Sequence, residues 1–291
     1  MTVETAYAQL QQDLSPRYGA GEARSIARIV FEDVFYSRRR IEPVLSLEEM
    51  IRFEEIRQRL LAGEPVQYVL GEADFFGLKF WVNPSVLIPR QETEELVVWV
   101  MEWLKFEHLP APAVLDIGLG SGCIGVTLKR KLPGLRLFGL EKSPEALAVA
   151  TENARRILAD AAFTFVLGDI LDTGAEAFFP ALDVIVSNPP YIPLREQNQM
   201  PEHVLAHEPA LALFVDDADP LVFYRAITRF AMQKLKPGGC LFFECNEFNA
   251  QEVAGLLEFY GFTGIELRND LNGAERMVSG VYLHLPAHSA A

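Results

Sequence analysis

Asp116-Ile117-Gly118-Leu119-Gly120-Ser121-Gly122 is the clearest fold signal in this chain. Its first two residues end a short strand-like run at 114–117, and a segment with helical character follows it. Glycine at every second position lets the backbone approach a ligand so closely that a side chain there would collide with it. Gly120, Gly122 and Gly125 also satisfy the GxGxxG pattern of dinucleotide-binding proteins, so that ligand class has to be weighed. Both interpretations predict an α/β sheet whose first strand ends at a nucleoside-containing ligand.

Short apolar runs alternate with helical segments through the rest of the chain. Uninterrupted apolar runs of this length are typical of strands buried in a parallel sheet. The last two runs join through Asn272-Gly273, which favours an antiparallel pair at the sheet edge. We therefore predict an α/β fold with a mostly parallel sheet and an antiparallel edge. The predicted strands are 114–117, 137–140, 163–167, 184–186, 240–243, 263–267 and 277–285, and the predicted helices are 123–131, 144–158, 220–235 and 250–260.

The N-terminal part of the chain differs because it shows helical periodicity. Apolar side chains recur at i, i+3, i+4 and i+7 from Ala23 onward, and Ser46 with Glu49 forms a capping-box pattern that begins another helix. A basic cluster, Arg38 to Arg40, lies between them. We interpret it as cations favoured near a helix C-terminus, with contact to an acidic or RNA-containing partner as the alternative.

Extended runs at 75–82 and 86–88 follow the helical region. They flank Asn83-Pro84-Ser85, so we predict a β-hairpin that links two domains. The predicted domains are an N-terminal helical bundle at 1–72, a β-hairpin linker at 73–90 and an α/β domain at 91–291.

Composition excludes several classes of protein. Half of the residues are hydrophobic and 23% are charged, as expected for a well-packed globular protein. A net charge of −14 and a pI near 4.9 argue against stable nucleic-acid binding, which requires a basic surface. Three cysteines without metal-type spacing indicate reduced thiols, and no signal peptide or membrane-spanning segment is evident. We therefore expect a cytoplasmic protein that does not bind membranes.

Ser187-Asn188-Pro189-Pro190-Tyr191-Ile192 follows another apolar run and forms an unusual turn. Neither proline has a backbone N–H, so the turn presents acceptors and almost no donors. The Asn188 side-chain oxygen and the Pro189 carbonyl can hold a planar –NH2 group by its hydrogens, while Tyr191 offers an aromatic plane. The alternative is a stiff turn that only closes a buried strand. We predict catalytic roles for Asn188, Pro189 and Tyr191, and substrate contacts from Asn188, Pro189, Pro190 and Tyr191.

The ends of the second and third strands suggest which ligand the glycine loop binds. Glu141 can accept hydrogen bonds from two ribose hydroxyls, and Asp169 with Ile170 can bracket an adenine ring. A dehydrogenase has no use for an acceptor-only clamp at the fourth strand, whereas a methyl donor with an adenosine group would aim its sulfonium there. The predicted cofactor-binding residues are Gly118, Leu119, Gly120, Ser121, Gly122, Glu141, Asp169, Ile170 and Asn188.

Other polar residues receive smaller roles. Arg90, Glu92 and Thr93 cluster near a domain junction and are candidates for the wall of the pocket. His203 and His207 lie four residues apart, but the surrounding order differs from His-Glu-x-x-His. We therefore predict no metal site.

With these residues in place, the sequence resembles the class I S-adenosylmethionine-dependent methyltransferases. More specifically, it resembles the release-factor glutamine methyltransferases (the PrmC/HemK family), and the resemblance covers nearly the whole chain. Segment 90–94 is more similar to the release-factor branch than to the branch that acts on ribosomal protein L3. The motifs that carry it are Gly63-Glu64-Pro65-Val66-Gln67-Tyr68, Leu87-Ile88-Pro89-Arg90-Gln91-Glu92-Thr93-Glu94, the glycine loop, Asn188-Pro189-Pro190-Tyr191, Glu208-Pro209, Tyr224-Arg225 and Pro237-Gly238-Gly239.

The resemblance implies a class I methyltransferase (Rossmann-like) sheet, with the 1–72 domain recognising the substrate. It implies S-adenosyl-L-methionine as cofactor and S-adenosyl-L-homocysteine as product. It also implies N5-methylation of the glutamine in the Gly-Gly-Gln loop of peptide-chain release factors. Three positions depart from the family pattern: Gln91 replaces a usual proline, 215–220 lacks the usual glycines, and 246–248 lacks the glycine that usually follows Glu244.

Three alternative functions remain open from the sequence. The first is methylation of a glutamine in ribosomal protein L3, and the second is N6-methylation of adenine in nucleic acid, because Asn-Pro-Pro-Tyr also occurs in enzymes that methylate amino groups of nucleic acids. The third is a noncatalytic adaptor that binds the cofactor and docks a translation factor through its helical domain.

Overall fold

The computed structural model describes residues 1–35, 44–159 and 161–283, and the chain divides into two compact units. The first unit consists of Met1–Glu72 and Pro201–His207. The second consists of Ala73–Met200 and Glu208–Ala291. The basic cluster at Arg38, Arg39 and Arg40 lies outside the described residues. In the ranges that the structure describes, no helix is both long enough and apolar enough to cross a membrane.

The first unit is helical. Helix α1 begins where the Thr2 side chain accepts a hydrogen bond from the Thr5 N–H, and its backbone leaves helical geometry once, at Gly19 with φ of 76°. A π-helical turn follows α1 directly. Helix α2 begins with the predicted capping box, because Ser46 and Glu49 exchange hydrogen bonds. The helical segments are α1 (Val3–Val30), the π turn (Phe31–Phe35), α2 (Leu47–Leu61), α3 (Val66–Leu70) and, later in the chain, α7 (Glu202–His207).

Aromatic side chains fill the core of this unit. Phe31, Phe35 and Phe53 are fully buried, and their ring centroids lie 5.0 to 6.1 Å apart. Buried aromatic rings contribute large apolar areas and prefer tilted or edge-on contacts of this kind. The predicted helical character of this region is confirmed by α1 and α2.

The second unit contains a seven-stranded sheet in the part of the chain that the structure describes. The strand order is β10-β11-β9-β6-β3-β4-β5, with β9 to β5 parallel and β11 antiparallel to both of its neighbours. The predicted mostly parallel sheet with an antiparallel edge is confirmed. The strands are β3 (Ala113–Ile117), β4 (Arg136–Glu141), β5 (Phe163–Leu167), β6 (Leu182–Ser187), β9 (Leu235–Glu244), β10 (Phe262–Asn269) and β11 (Glu275–Tyr282).

Helices cover both faces of the sheet, because alternate residues of the central strand point in opposite directions. Leu115 and Ile117 pack with one group of helices, and Val114 packs with the other. Helices α9 and α10 cover the first face, and α4, α5 and α6 cover the second. The helices are α4 (Gln91–Phe106), α5 (Cys123–Lys131), α6 (Pro144–Leu158), α8 (Ala210–Leu213), α9 (Val222–Lys234) and α10 (Ala250–Phe259).

The topology determines where a ligand can bind. The chain order reverses between β3 and β6, since β4 and β5 follow β3 on one side while β6 and β9 lie on the other. Open α/β sheets bind ligands at such a switch point, beyond the carboxyl ends of the strands. Ile117 and Ser187 are register partners at that point. The glycine loop and the Asn188 corner therefore follow adjacent strands.

The β-hairpin is present, but its predicted strands were misplaced. Its strands are β1 (Glu72–Phe75) and β2 (Leu78–Trp81), and the turn lies at Phe76-Gly77. Both turn residues have positive φ, 53° and 73°, as a two-residue type I′ turn requires. Residues 86–88 form no strand, because Asn83 accepts hydrogen bonds from Ser85 and Val86 and closes a separate turn. Phenylalanine is rarely found at positive φ, so the residue types at this position do not predict the turn.

The segment between β6 and α9 contains short elements: β7 (Ile192–Pro193), a 3₁₀ turn (Leu194–Gln199), α7, α8 and β8 (Phe214–Val215). In the second unit, β7 pairs in parallel with β8. This pairing connects the residues just after the Asn188 corner with the 215–220 segment that departs from the family pattern.

Candidate active site

A cavity of about 320 Å³ lies at the carboxyl ends of the parallel strands. It is lined by the loops that follow β3, β4, β5 and β6 and by residues near the start of α4: Ser85, Val86, Leu87, Pro89, Arg90 and Thr93. Of the predicted site residues, these line it: Gly118, Leu119, Gly120, Ser121, Glu141, Asp169, Ile170, Asn188, Pro189 and Pro190. Gly122 and Tyr191 do not line it.

The glycine loop forms one wall of this cavity. Gly118 and Gly120 both have positive φ, and a Cβ built on either would meet no atom within 4 Å. Their backbone therefore faces open space that side chains would otherwise fill. Gly122 has a different role: it precedes α5, and a Cβ there would meet Val126 and Ala150 at 3.3 to 3.4 Å. The structure thus places Gly122 at a helix-packing contact.

Glu141 holds the loop in place from the end of β4. Its Oε2 accepts the Gly120 N–H at 2.9 Å, and its Oε1 accepts the Ser143 N–H at the same distance. Each carboxylate oxygen can accept a further hydrogen bond. Glu141 can therefore organise the loop and still accept hydroxyl groups from a ligand.

Asp116 supports the loop from the buried side. Its Oδ2 accepts the Gly125 N–H at 2.9 Å, while Oδ1 has no hydrogen-bond partner among the described residues. Burial, reinforced by the nearby Glu141 charge and partly offset by the Gly125 N–H, raises the pKa of Asp116 to about 8. The carboxyl group is therefore mostly neutral at neutral pH.

Cys123 is the first residue of α5 and lines the cavity. Burial raises the pKa of its thiol to about 12, so it stays protonated and is a poor nucleophile. Cys123, Cys240 and Cys245 are all free thiols. Across residues 1–35, 44–159 and 161–283, no group of three or more His, Cys, Asp or Glu side chains could hold a metal ion.

Asp169 and Ile170 follow β5 at the far end of the cavity. Asp169 Oδ1 accepts the Leu171 N–H at 2.9 Å, and Lys142 Nζ lies 2.8 Å from Asp169 Oδ2. The Asp169 carboxylate is thus fixed by two contacts, and Ile170 provides an apolar surface beside it.

The Asn188 corner forms another wall of the cavity. The Ser187 hydroxyl donates to the Ile117 carbonyl at 2.7 Å and joins the two strand ends. Asn188 Nδ2 donates to Thr93 Oγ1 at 3.3 Å. Within the described part of the chain, the Asn188 side-chain oxygen accepts no hydrogen bond. That oxygen is therefore available as an acceptor on the cavity wall.

Behind this corner lies a buried network centred on Glu244. The Thr93 hydroxyl donates to Glu244 Oε2 at 2.6 Å, and the Tyr191 hydroxyl lies 3.5 Å from Oε1. Both Thr93 and Glu244 are only 2% exposed. The structure therefore directs Tyr191 toward Glu244 and not to the cavity wall.

The comparisons with known proteins agree with this geometry. Residues 5–71 match the family described as PrmC N-terminal domain, and residues 101–212 match the Methyltransferase small domain. The release factor glutamine methyltransferase of Flavobacterium psychrophilum is 40% identical over 285 residues, which cover 96% of this chain and 98% of that protein. The chain belongs to the release factor glutamine methyltransferase family. The family predicted from the sequence is confirmed.

Further relatives support this membership. The release factor glutamine methyltransferase of Bacteroides thetaiotaomicron is 37% identical over 283 residues, covering 94% of this chain and 98% of that protein. A solved methyltransferase structure from Pyrococcus furiosus has a TM-score of 0.50 at 16% identity, covering 77% of this chain and 96% of that one. This likeness concerns the fold alone. The predicted class I methyltransferase fold is confirmed.

Arg90 and Thr93, predicted as candidates for the pocket wall, line the cavity in this family member, whereas Glu92 does not. Arg90 Nη2 lies 2.7 Å from Glu208 Oε1, and the Ile88 N–H donates to Glu208 Oε2 at 3.2 Å. The Glu208 side chain is 1% exposed. Glu208 therefore fixes the segment that leads to Thr93.

Sequence reasoning missed two residues that support the site of this methyltransferase. Glu244 ends β9, and its signals were its position directly after a predicted strand and the glycine that usually follows it in the family pattern. Asn153 in α6 bonds both the N–H and the carbonyl of Trp81 and also donates to the Ser121 carbonyl at 2.9 Å. It ties the hairpin to the glycine loop, and no local motif marks it.

Proposed function

We propose that this protein transfers a methyl group from S-adenosyl-L-methionine to the side-chain nitrogen of a glutamine, the one in the Gly-Gly-Gln loop of peptide-chain release factors. One observation carries the proposal. The acceptor-rich corner at Asn188, Pro189 and Pro190 lines the same cavity as the glycine loop. Membership in the release factor glutamine methyltransferase family supports this substrate.

The residues around the cavity fit S-adenosyl-L-methionine. The open space beside Gly118 and Gly120 admits a ligand where side chains would exclude one. Glu141 would accept the two ribose hydroxyls with the lone pairs that Gly120 and Ser143 leave unused. Asp169 and Ile170 would face the adenine. When bound, S-adenosyl-L-methionine supplies an electrophilic methyl group on a sulfonium.

The Asn188 corner would hold the substrate carboxamide. Asn188 Oδ1 and the Pro189 carbonyl would each accept one N–H of the glutamine side chain. This fixes the plane of the –NH2 group and leaves one face of the nitrogen open toward the methyl group. Two carbonyl acceptors also stabilise the positive charge that grows on nitrogen as the N–C bond forms.

Methyl transfer by this route requires neither a metal ion nor an added reductant. The substrate nitrogen would gain the methyl group as the S–C bond breaks, with the electron pair of that bond left on sulfur, and the nitrogen would then release one proton to solvent. Positioning within a reactive distance is the main demand on the protein. The structural contribution of this chain is therefore the orientation of Asn188.

The predicted domain boundaries become part of the same proposal. Residues 1–72 would recognise the release factor, 73–90 would connect the domains, and 91–291 would carry out methyl transfer. A release factor substrate would place the protein in the cytoplasm, where translation terminates. We expect no stable nucleic-acid binding, since the net charge is −14.

Tandem mass spectrometry tests this function. Purified release factor, ribosomal protein L3 and total RNA and DNA are incubated separately with the protein and methyl-labelled S-adenosyl-L-methionine. We expect label only in release factor, on the glutamine of Gly-Gly-Gln, and none when that glutamine is replaced by asparagine. Label in L3 or on adenine instead would overturn the substrate, and cofactor binding with no transfer would indicate an adaptor.

A further inference from the structure

An asparagine side chain can present two opposite chemistries to the cavity. With its oxygen toward the ligand it accepts an N–H, and with its nitrogen toward the ligand it repels one. The two orientations have nearly the same shape, so packing alone distinguishes them poorly. Something else must select the orientation that the proposed function requires.

Thr93 and Glu244 provide that selection through hydrogen bonds. The Thr93 hydroxyl has one proton, and the 2.6 Å contact commits it to Glu244 Oε2. Toward Asn188, Thr93 can then only accept. Asn188 Nδ2 lies 3.3 Å from that hydroxyl oxygen, which matches this polarity. The Asn188 oxygen is left to face the cavity.

We propose that Thr93 and Glu244 are positioning residues for methyl transfer: they fix the Asn188 amide so that its oxygen faces the substrate nitrogen. This inference rests on the proposed function. Neither residue touches the reacting atoms, and both act through Asn188. Nothing in the Asn-Pro-Pro-Tyr motif itself determines the amide orientation.

We call the chain of hydrogen bonds from Glu244 through Thr93 to Asn188 the relay. The direction of these bonds depends on whether Glu244 is protonated. Burial, with a smaller contribution from the Glu92 charge, raises the pKa of Glu244 to about 7. The effect is partly offset by the Thr93 hydrogen bond, the Arg276 charge and a hydrogen bond with the Asn188 side chain, so Glu244 holds Asn188 directly as well as through Thr93. A protonated Glu244 can donate to Thr93, which frees the Thr93 proton for Asn188 and favours the reversed amide. Tyr191 stays a neutral donor, because burial raises its pKa further above its usual range. The titratable or charged groups that face Glu244 are Glu92, Cys123, Tyr191, Tyr224, Cys245 and Arg276.

We expect different results for two substitutions of Thr93. Thr93→Val keeps the shape but removes the hydroxyl, whereas Thr93→Ser keeps the hydroxyl. Single-turnover methylation of release factor, at saturating cofactor, should slow about tenfold in Thr93→Val and stay near wild type in Thr93→Ser. The KM for release factor should change little, because the contact acts on orientation.

The pH dependence of kcat in Glu244→Gln distinguishes a positioning role from a purely structural one. The wild-type kcat should rise with pH through about 7, the pKa of Glu244, and then level off. Glutamine has no charge to titrate, so the variant should lose this rise and show an intermediate rate at every pH. Melting temperatures and cofactor dissociation constants of all variants verify that they are folded.

The outcomes separate the two proposals. The relay is wrong if wild type transfers methyl groups and Thr93→Val does so at the wild-type rate. It is also wrong if Thr93→Ser is as slow as Thr93→Val. A pH rise that persists in Glu244→Gln also overturns it. No transfer by wild type to release factor overturns the proposed function, and the relay with it.

Discussion

The glycine loop and the Asn188 corner form two walls of one cavity, yet they are held by contacts of different range. In the loop, the Gly125 N–H bonds Asp116 nine residues away, and the Gly120 N–H bonds Glu141 21 residues away. At the corner, Asn188 bonds Thr93 across 95 residues, and Thr93 bonds Glu244 across 151. The loop is therefore determined by local backbone geometry, and the corner by the tertiary fold.

This difference predicts how each wall fails. The loop should be sensitive to added atoms, because its function depends on open space beside the backbone. The corner should be sensitive to the loss of single polar atoms, because its function depends on the direction of hydrogen bonds.

Filling the loop should have the largest effect. Gly120→Val places a β-branched side chain in the cavity at a φ of 53°, and we expect S-adenosyl-L-methionine to bind about a thousandfold more weakly, a loss of about 4 kcal/mol. Gly174→Val is the matched control, because Gly174 also has positive φ and open space but does not line the cavity. Calorimetric titration measures both. Equal affinities in the two variants would contradict the role of the loop.

Loss of the Arg90–Glu208 ion pair, which fixes the segment leading to Thr93, should have the next largest effect. Arg90→Met leaves the Glu208 carboxylate buried without its cation, which should lower the free energy of unfolding by about 3 kcal/mol. Adding Glu208→Gln removes the buried charge and should restore much of this loss. Urea denaturation of the two single variants and the double variant measures the coupling. Strictly additive effects would show that Arg90 and Glu208 do not stabilise the fold through their ion pair.

Asp116, which supports the glycine loop, should have a smaller effect: it makes the free energy of unfolding depend on pH. The pKa of this carboxyl is raised to about 8, well above its unfolded value of about 3.9. Its contribution to stability is therefore present below about pH 4 and is lost as pH rises toward 8. Between about pH 6 and about pH 7, the unfolding free energy of wild type should fall by about 1.4 kcal/mol relative to Asp116→Asn. Parallel pH profiles for the two proteins would contradict this.

Local patterns in the sequence predicted much of the site. Ser46 and Glu49 form the expected capping box, and the glycine loop, Glu141 and Asn188 follow the expected strands. Each of these signals lies within a few residues and depends on one strand or helix end. This is why the fold and most of the cavity wall could be predicted.

Contacts between distant segments could not be predicted in the same way. Thr93 was expected near the pocket, but its bond to Glu244 exists only because α4 packs beside the end of β9. Tyr191 was expected at the cavity wall, and its hydroxyl instead lies near Glu244. The hairpin turn was misplaced because Phe76 adopts a positive φ that its residue type does not suggest.

Asn188→Ala tests most directly whether one wall binds the cofactor and the other presents the substrate nitrogen. Its cofactor dissociation constant and its single-turnover rate of release factor methylation are measured together, with the exposed Asn198→Ala as the control. We predict a rate at least about a hundredfold lower with nearly unchanged cofactor affinity. A variant that methylates release factor at the wild-type rate, or that loses cofactor affinity and rate in equal measure, would contradict this account.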